Sequence, residues 1–311
     1  MLTLTFDDCY LSQKNEAQEL LRQAKLKASF YVITDYLEEG NYLDFMKKSD
    51  ILSLLHDGHE IGSHTKSHPR LPLISSEKRI AELTDSKNKL KELGINAATF
   101  VYPYGNYSEN IVEEVKKVGY TSARSTEFGF NTPKTNPYIL KCQPVYRWVP
   151  FFIIKYWIDK AEKKNLWLIL MFHQIDTTRG FYGTTPNTFE KIVTYITKKK
   201  IQTVTMSDGI NKIMKPYVKI LIKDNDKTLE HYFVRADEWG IPAGKIEGSE
   251  LPVNAAVREL LERTGFSIES DKLTQVEDEG DFYVFKGDKK DLTKIAEPGE
   301  IGGYKTEIRW N

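Results

Sequence analysis

Along the first residues of the chain, Leu2, Leu4 and Phe6 alternate with Thr3, Thr5 and Asp7, the period-two pattern of a half-buried strand. Lys27-Ala-Ser-Phe-Tyr-Val-Ile33 reads as a second strand, and the short stretch around His59-Glu-Ile-Gly62 as a third. Helical spacing then takes over: Ile80, Leu83, Leu90 and Leu93 mark a helix across 76–93, with Gly94 as its stop. Ser108 is placed to cap a further helix through Val118, closed by Gly119. Tyr120-Thr-Ser-Ala-Arg124 predicts the next strand. Leu166-Trp-Leu-Ile-Leu-Met-Phe-His173 is an unbroken apolar run, the signature of a strand buried on both faces. A strand at Ile201–Thr205 and a last short helix complete the series. Repeated strand–helix units predict a parallel sheet.

Several of these strands end in residues that carry chemistry. Asp7 and Asp8 close the first. Successive strand residues point to opposite faces and the chain turns here, so the two carboxylates cannot do the same job. One can bind a metal while the other stays free as a base. His64-Thr-Lys-Ser-His68 sets two imidazoles four positions apart, which predicts one face of a single helical turn ended by Pro69. Two neutral imidazoles and one carboxylate suit Zn²⁺ or a similar divalent ion with an open coordination position. Alone, an Asp-Asp after a strand is an ordinary turn, and a His-x-x-x-His pair is an ordinary surface feature. Their joint occurrence with His173, which again caps a strand, points to a metal-dependent hydrolase.

The same residues carry a resemblance. Residues 1 to about 213 resemble the NodB-homology polysaccharide deacetylases of carbohydrate esterase family four: Thr5-Phe-Asp-Asp8, His64-Thr-Lys-Ser-His68, Phe100-Val-Tyr-Pro-Tyr-Gly105 and Leu170-Met-Phe-His173 match four family motifs in order. The resemblance implies a distorted (β/α) barrel with its site at the C-terminal strand ends. It implies Asp7 as general base, Asp8, His64 and His68 as ligands of Zn²⁺ (or Co²⁺ or Ni²⁺), His173 as general acid, and the backbone N–H of Tyr104 as an oxyanion donor. Two positions depart from the family. Cys9 stands where glycine often follows the acidic pair, and reads as a small packed residue rather than a nucleophile. Val101 stands where the third motif often carries an arginine that steadies the base. Arg124 is either that partner, reaching in from another direction, or an ordinary surface arginine.

Amide hydrolysis needs the roles these residues would fill. A bound divalent ion can lower the pKa of water from about 15.7 to about 7 and polarise the acyl oxygen. A base takes the proton, a fixed donor favours the tetrahedral oxyanion, and an acid protonates the departing amine.

Composition narrows the partners. The chain has 311 residues, 40% hydrophobic and 28% charged, which is globular rather than disordered. With 44 basic and 44 acidic side chains its formal charge is zero, so no electrostatic footprint argues for nucleic acid or an anionic membrane. Two cysteines, Cys9 and Cys142, do not make a disulfide scaffold. No stretch reaches the ~18 apolar residues of a membrane span. The chain starts directly on its first strand without a leader pattern, which predicts either a cytoplasmic location, the preferred reading, or a trimmed N-terminus.

Beyond Lys215-Pro216 the pattern changes to an antiparallel block. Val218-Lys-Ile-Leu-Ile222 leads through a turn at Asp224-Asn-Asp226 to another strand running to Val234. Gly244, Glu250 and Arg258-Glu-Leu-Leu-Glu-Arg-Thr-Gly265-Phe266 reproduce the spacing of the Nudix box, and Trp239-Gly-Ile-Pro-Ala243 fits the same family. A helix over Pro252–Thr264 would set Glu259 and Glu262 on one face, where they could hold Mg²⁺ against phosphate oxygens. Arg263 occupies the position of the usual second glutamate, and relatives usually continue past residue 311 into another helix. The domain is therefore expected to be incomplete or degenerate.

The sequence thus predicts two domains, 1–214 and 215–311: a barrel that removes N-acetyl groups from a carbohydrate or glycan precursor, then a small α+β Nudix-like domain with a possible nucleotide or nucleotide-sugar ligand. Two alternatives stay open. The barrel could cleave small amides, as allantoinase-like and imidase-like enzymes do, or the Nudix part could be the main catalyst, a pyrophosphohydrolase of nucleoside diphosphate derivatives.

Overall fold

The computed structural model describes residues 1–38, 42–178, 180–213, 217–233, 238–246, 252–279, 282–297 and 307–311. The chain divides into two compact units, Met1–Ile213 and Met214–Asn311.

The first unit is a closed barrel of parallel strands in chain order: β1 Leu2–Phe6, β2 Ser29–Val32, β3 Glu60–Ser63, β4 Thr99–Val101, β5 Ser122–Phe128, β6 Leu140–Pro144 and β7 Leu168–Phe172. Closure is made by β1 and β7, which pair from Leu2↔Leu168 through Phe6↔Phe172. Two expectations are corrected here. β1 is buried at every residue rather than half-buried, because closure gives each strand an inner face as well as a helix-covered outer one. Leu2, Leu4 and Phe6, with Leu168, Leu170 and Phe172, pack outward against helices, where Phe6 stacks on Phe30 at 4.5 Å. Thr3 points inward and its hydroxyl accepts from the Trp167 indole at 2.9 Å. The strand expected at 201–205 shrinks to a single bridge between Leu2 and Thr203, on the edge of β1 that β2 already takes at Thr5 and Phe6.

Helix punctuation follows the sequence. Ser76–Glu92 is capped by Ser75 and followed by Gly94 at φ +78°; Glu109–Lys117 is capped by Ser108 and followed by Gly119 at φ +88°. Both glycines take the left-handed conformation that ends a helix without a Cβ penalty.

In the second unit, β8 Tyr217–Asp224, β9 Lys227–Phe233, β10 Glu238–Gly240, β11 Ala243–Lys245, β12 Phe266–Ser267, β13 Thr274–Glu279, β14 Phe282–Asp288, β15 Thr293–Lys294 and β16 Ile308–Trp310 accompany the helix Pro252–Thr264. The main sheet runs β10-β9-β8-β14-β13, with β11 on β8 and β16 on β9, and β12 pairs with β15 separately. The helix packs Ala255, Ala256 and Leu260 against Val218, Ile220 and Ile222. This is the α+β arrangement expected of it.

Candidate active site

The inward set of β1 is Thr3, Thr5 and Asp7, and that of β7 is Ile169, Met171 and His173. Period two alone therefore carries Asp7 and His173 to the C-terminal mouth of the barrel. Asp7 meets Arg124, whose Nη2 lies 2.5 Å from both carboxylate oxygens, and the two side chains are 3% and 0% exposed. The surface alternative for Arg124 is thereby excluded. Its Nη1 donates to the Ser125 carbonyl at 2.9 Å and lies 3.2 Å from the Met171 sulfur. Burial works against the guanidinium charge, but the Asp7 carboxylate outweighs it and raises the Arg124 pKa.

Asp8 and Cys9 turn the chain sharply, at φ +70° and +55°. These are left-handed conformations that glycine adopts freely and other residues adopt under strain. Cys9 is fully buried, and burial pushes its thiol up to about 12, so it is no nucleophile.

The turn aims Asp8 away from Asp7. Its Oδ1 lies 3.3 Å from His64 Nε2 and 3.4 Å from His68 Nε2. The two Nε2 atoms are 3.1 Å apart, and His173 Nε2 is 3.9 Å from Asp8 Oδ2. His64 Nδ1 donates to the Val101 carbonyl at 2.8 Å, which turns Nε2 towards Asp8 and His68. Burial would raise the Asp8 pKa, but the His64 hydrogen bond and the surrounding imidazoles bring it down to about 2. Burial and the adjacent His64 push His68 down to about 4. Asp8, His64 and His68 each present one ligand atom here, and all three atoms lie within 4.8 Å of one another. That donor set fits a divalent ion.

The helical turn expected for the histidines is not formed. Residues 64–70 are a loop in which Thr65 and His68 sit at φ +68° and +62°, as the barrier Pro69 raises against α-helical geometry at His68 allows. Glu82 of the 76–92 helix holds this loop, accepting from the backbone N–H of Lys66 at 3.0 Å and of Ser67 at 2.8 Å. His68 N–H donates to Thr65 Oγ1 at 2.9 Å.

A cavity of about 760 Å³ opens over the cluster and also borders Tyr10, Tyr36, Phe45, Tyr104, Tyr146, Phe181 and Tyr182. Tyr104 lies in a short turn at φ +60°, with its ring 4.6 Å from that of His68 and under the Arg70 guanidinium at 4.2 Å.

The box residues of the second unit meet in a different way. Gly244 leaves room for Glu259: a Cβ there would stand 1.8 Å from the Glu259 carboxyl carbon. Buried Glu259 accepts from Arg258 Nη1 at 3.0 Å and from Arg263 Nε at 3.2 Å. Arg258 also reaches Glu262 at 3.4 Å and the Lys245 carbonyl at 2.7 Å. Among the described residues Glu259 and Glu262 join no group of three ligating side chains close enough to share an ion. Glu250 lies outside the described residues.

Residues 1–123 match the family model "Polysaccharide deacetylase", and residues 217–310 match "NUDIX domain". The chain carries a polysaccharide deacetylase domain followed by a NUDIX domain. Over 124 residues the chain is 29% identical to a peptidoglycan-N-acetylglucosamine deacetylase of Bacillus cereus, covering 39% of this chain and 54% of the relative. Over 151 residues it is 26% identical to a poly-beta-1,6-N-acetyl-D-glucosamine N-deacetylase of Staphylococcus aureus, covering 44% and 51%. The chain thus spans about half the length of these relatives. A solved Streptococcus pyogenes deacetylase, PplD in complex with acetate, superposes with a TM-score of 0.43 at 21% identity, covering 61% of this chain and 68% of that one.

The deacetylase domain also uses residues that the sequence pattern did not single out. Glu82 sits in an ordinary helical pattern, and only the tertiary position of the histidine loop gives it a role. Trp148, Phe181 and Tyr182, all exposed, gather beside Tyr146 at the mouth, and the concentration of aromatics just after β6 and β7 was their one visible signal.

Proposed function

We propose that the deacetylase domain is a metal-dependent hydrolase that removes N-acetyl groups from a carbohydrate, with Zn²⁺ its natural ion. The observation that carries this reading is the division of two adjacent carboxylates: Asp8 faces His64 and His68, while Asp7 is held by Arg124 outside that cluster. When bound, the ion supplies an acidified water and polarises the acyl oxygen. Asp7, oriented by Arg124, takes the proton of the attacking water. The Tyr104 N–H donates to the developing oxyanion. His173 protonates the departing nitrogen.

A sugar substrate is supported over a small amide by the aromatic lining of the cavity, which offers flat apolar faces to the C–H faces of pyranose rings, and by the similarity to the N-acetylglucosamine deacetylases of Bacillus and Staphylococcus. The NUDIX domain is read as a module that binds a nucleotide-type ligand with at most weak Mg²⁺-dependent turnover, because arginines already meet Glu259. Acetate release from N-acetyl sugars, run beside nucleoside monophosphate formation from nucleoside diphosphate derivatives, tests both halves. Acetate release that requires added divalent ion is expected. Cleavage of small cyclic amides without any action on N-acetyl sugars would overturn the substrate class.

A further inference from the structure

The helix after the acidic turn is irregular. It begins as a single α-turn, Leu11–Gln13, passes through a π-turn at Lys14–Gln18 and resumes as α-helix at Glu19–Ala24. π-turns are rare and usually occur as single interruptions of α-helices, often at functional sites. This one follows directly on Gln13, a polar side chain that is fully buried.

Gln13 spans the seam where the barrel closes. The last ladder bond between β1 and β7 runs from Asp7 N–H to the Phe172 carbonyl at 2.9 Å. Beyond it the strands part, and the carbonyls of Asp7 and His173 lose their ladder partners. Gln13 Nε2 donates to both, at 2.5 Å to Asp7 O and 3.2 Å to His173 O. Both partners are acceptors, so the –NH₂ end of the amide must face them. Its Oε1 is buried without a hydrogen-bond partner among the described residues. A neighbouring bond strengthens the same strap: Ser12 Oγ accepts from Ile175 N–H at 3.2 Å.

We propose that Gln13 is a positioning residue of the hydrolytic centre. By bridging the two carbonyls it fixes the backbone at the ends of β1 and β7, and with it the separation and aim of the Asp7 carboxylate and the His173 ring. This rests on the reading of those two residues as base and acid. The bridge meets backbone carbonyls and no side chain of the Asp8–His64–His68 cluster or of the cavity's aromatic lining, so its loss should fall on turnover far more than on metal or substrate binding.

Two substitutions test it in the full-length, metal-loaded protein. Gln13→Met keeps the volume and removes the donors. The expected result is a fall in kcat on the order of 10²-fold, the usual consequence of misplacing reacting groups by about 1 Å, with KM and metal content at wild-type values. Gln13→Glu can still donate to one carbonyl while protonated, but its ionised form would set a buried charge against two carbonyl oxygens. The ratio of its kcat to that of the wild type, taken over the pH range in which circular dichroism shows both proteins folded, should therefore fall as pH rises. Folded, metal-loaded variants with wild-type kcat, or a Gln13→Glu ratio that is flat across pH, would overturn the positioning role while leaving the proposed function intact. A wild type that hydrolyses no N-acyl sugar and no small amide would overturn both.

Discussion

The two domains each bring a carboxylate into a crowded polar cluster, yet they balance its charge in opposite ways. In the barrel, Asp8 faces the imidazoles of His64 and His68, and among the described residues no guanidinium or ammonium group meets it. In the NUDIX domain, Glu259 is already matched by Arg258 and Arg263. Carboxylate count and helical spacing look equally suited to a metal in both places. What separates them is whether a guanidinium of the chain already occupies the position a cation would take.

The sharpest break of this comparison is at His64. His64→Ala removes a lone pair from the barrel cluster, and both stoichiometric metal, read by elemental analysis, and acetate release should be abolished. Full metal content with full activity would mean that the ion is held elsewhere. Asp7→Asn and His173→Ala probe the groups outside the cluster. Each should lower kcat by about 10²–10⁴, the usual worth of a positioned proton-transfer group, with metal retained. Loss of metal in Asp7→Asn but not in Asp8→Asn would show the two carboxylate roles to be exchanged.

Arg124 carries the next largest effect. It is fully buried and engaged with Asp7, and breaking a buried pair from one side typically costs about 3–5 kcal/mol because a charge is left uncompensated. Arg124→Leu should therefore destabilise the barrel by that order in urea unfolding. Asp7→Asn in the same background should recover much of the loss. A pair of independent, additive costs would show that the two side chains are not coupled.

Strand alternation and the motif residues made the barrel and the grouping of Asp8, His64 and His68 legible, because each placed residue lies at or near a strand end whose direction follows from period two. What escaped depends on closure and on loops. Burial of Thr3 and Thr5 follows only from the β1–β7 seam, and residues 64–70 bring His64 and His68 together through left-handed backbone at Thr65 and His68 rather than through helical spacing. Arg124 shows the same limit. Its position on β5 could be read from the sequence, but its reach across the barrel to Asp7 is a tertiary fact.

Arg263 offers a gain-of-function test of the comparison. Replacing it with glutamate, Arg263→Glu, changes the local charge by two units and removes a partner of Glu259, restoring oxygen ligands for a hard cation. Mn²⁺ binding by the NUDIX domain, followed by paramagnetic resonance with the barrel site filled by Zn²⁺, should tighten by about 10²-fold relative to wild type. If instead the wild-type protein cleaves ADP-ribose, nucleotide sugars or dinucleoside polyphosphates at about 1 s⁻¹ or faster, and Glu262→Gln abolishes this, the arginines do not exclude the metal.

The smallest effect lies within the barrel, at the other end of the strand that leads to His64. His59 immediately precedes β3 and is buried, with neither ring nitrogen hydrogen-bonded among the described residues, its ring edge-on to Phe30 at 5.4 Å. Burial, reinforced by nearby Lys27, lowers its pKa from 6.5 to about 4. Between those values the unfolded chain binds a proton that the folded one does not, so stability rises with pH through this window and is lost as pH falls from about 6.5 towards about 4. At about 1.4 kcal/mol per pH unit, this one group should cost the fold on the order of 2 kcal/mol at pH 5. His68 and His231, also lowered to about 4, add loss of the same sign, so the test is a difference between proteins. His59→Phe keeps an aromatic ring against Phe30 and removes the titration. Its loss of stability between pH 7.5 and pH 5 should be smaller than that of the wild type by that order. Equal losses in the two proteins would show that His59 is hydrated or partnered in solution, and that burial at this end of β3 does not by itself hold an imidazole neutral.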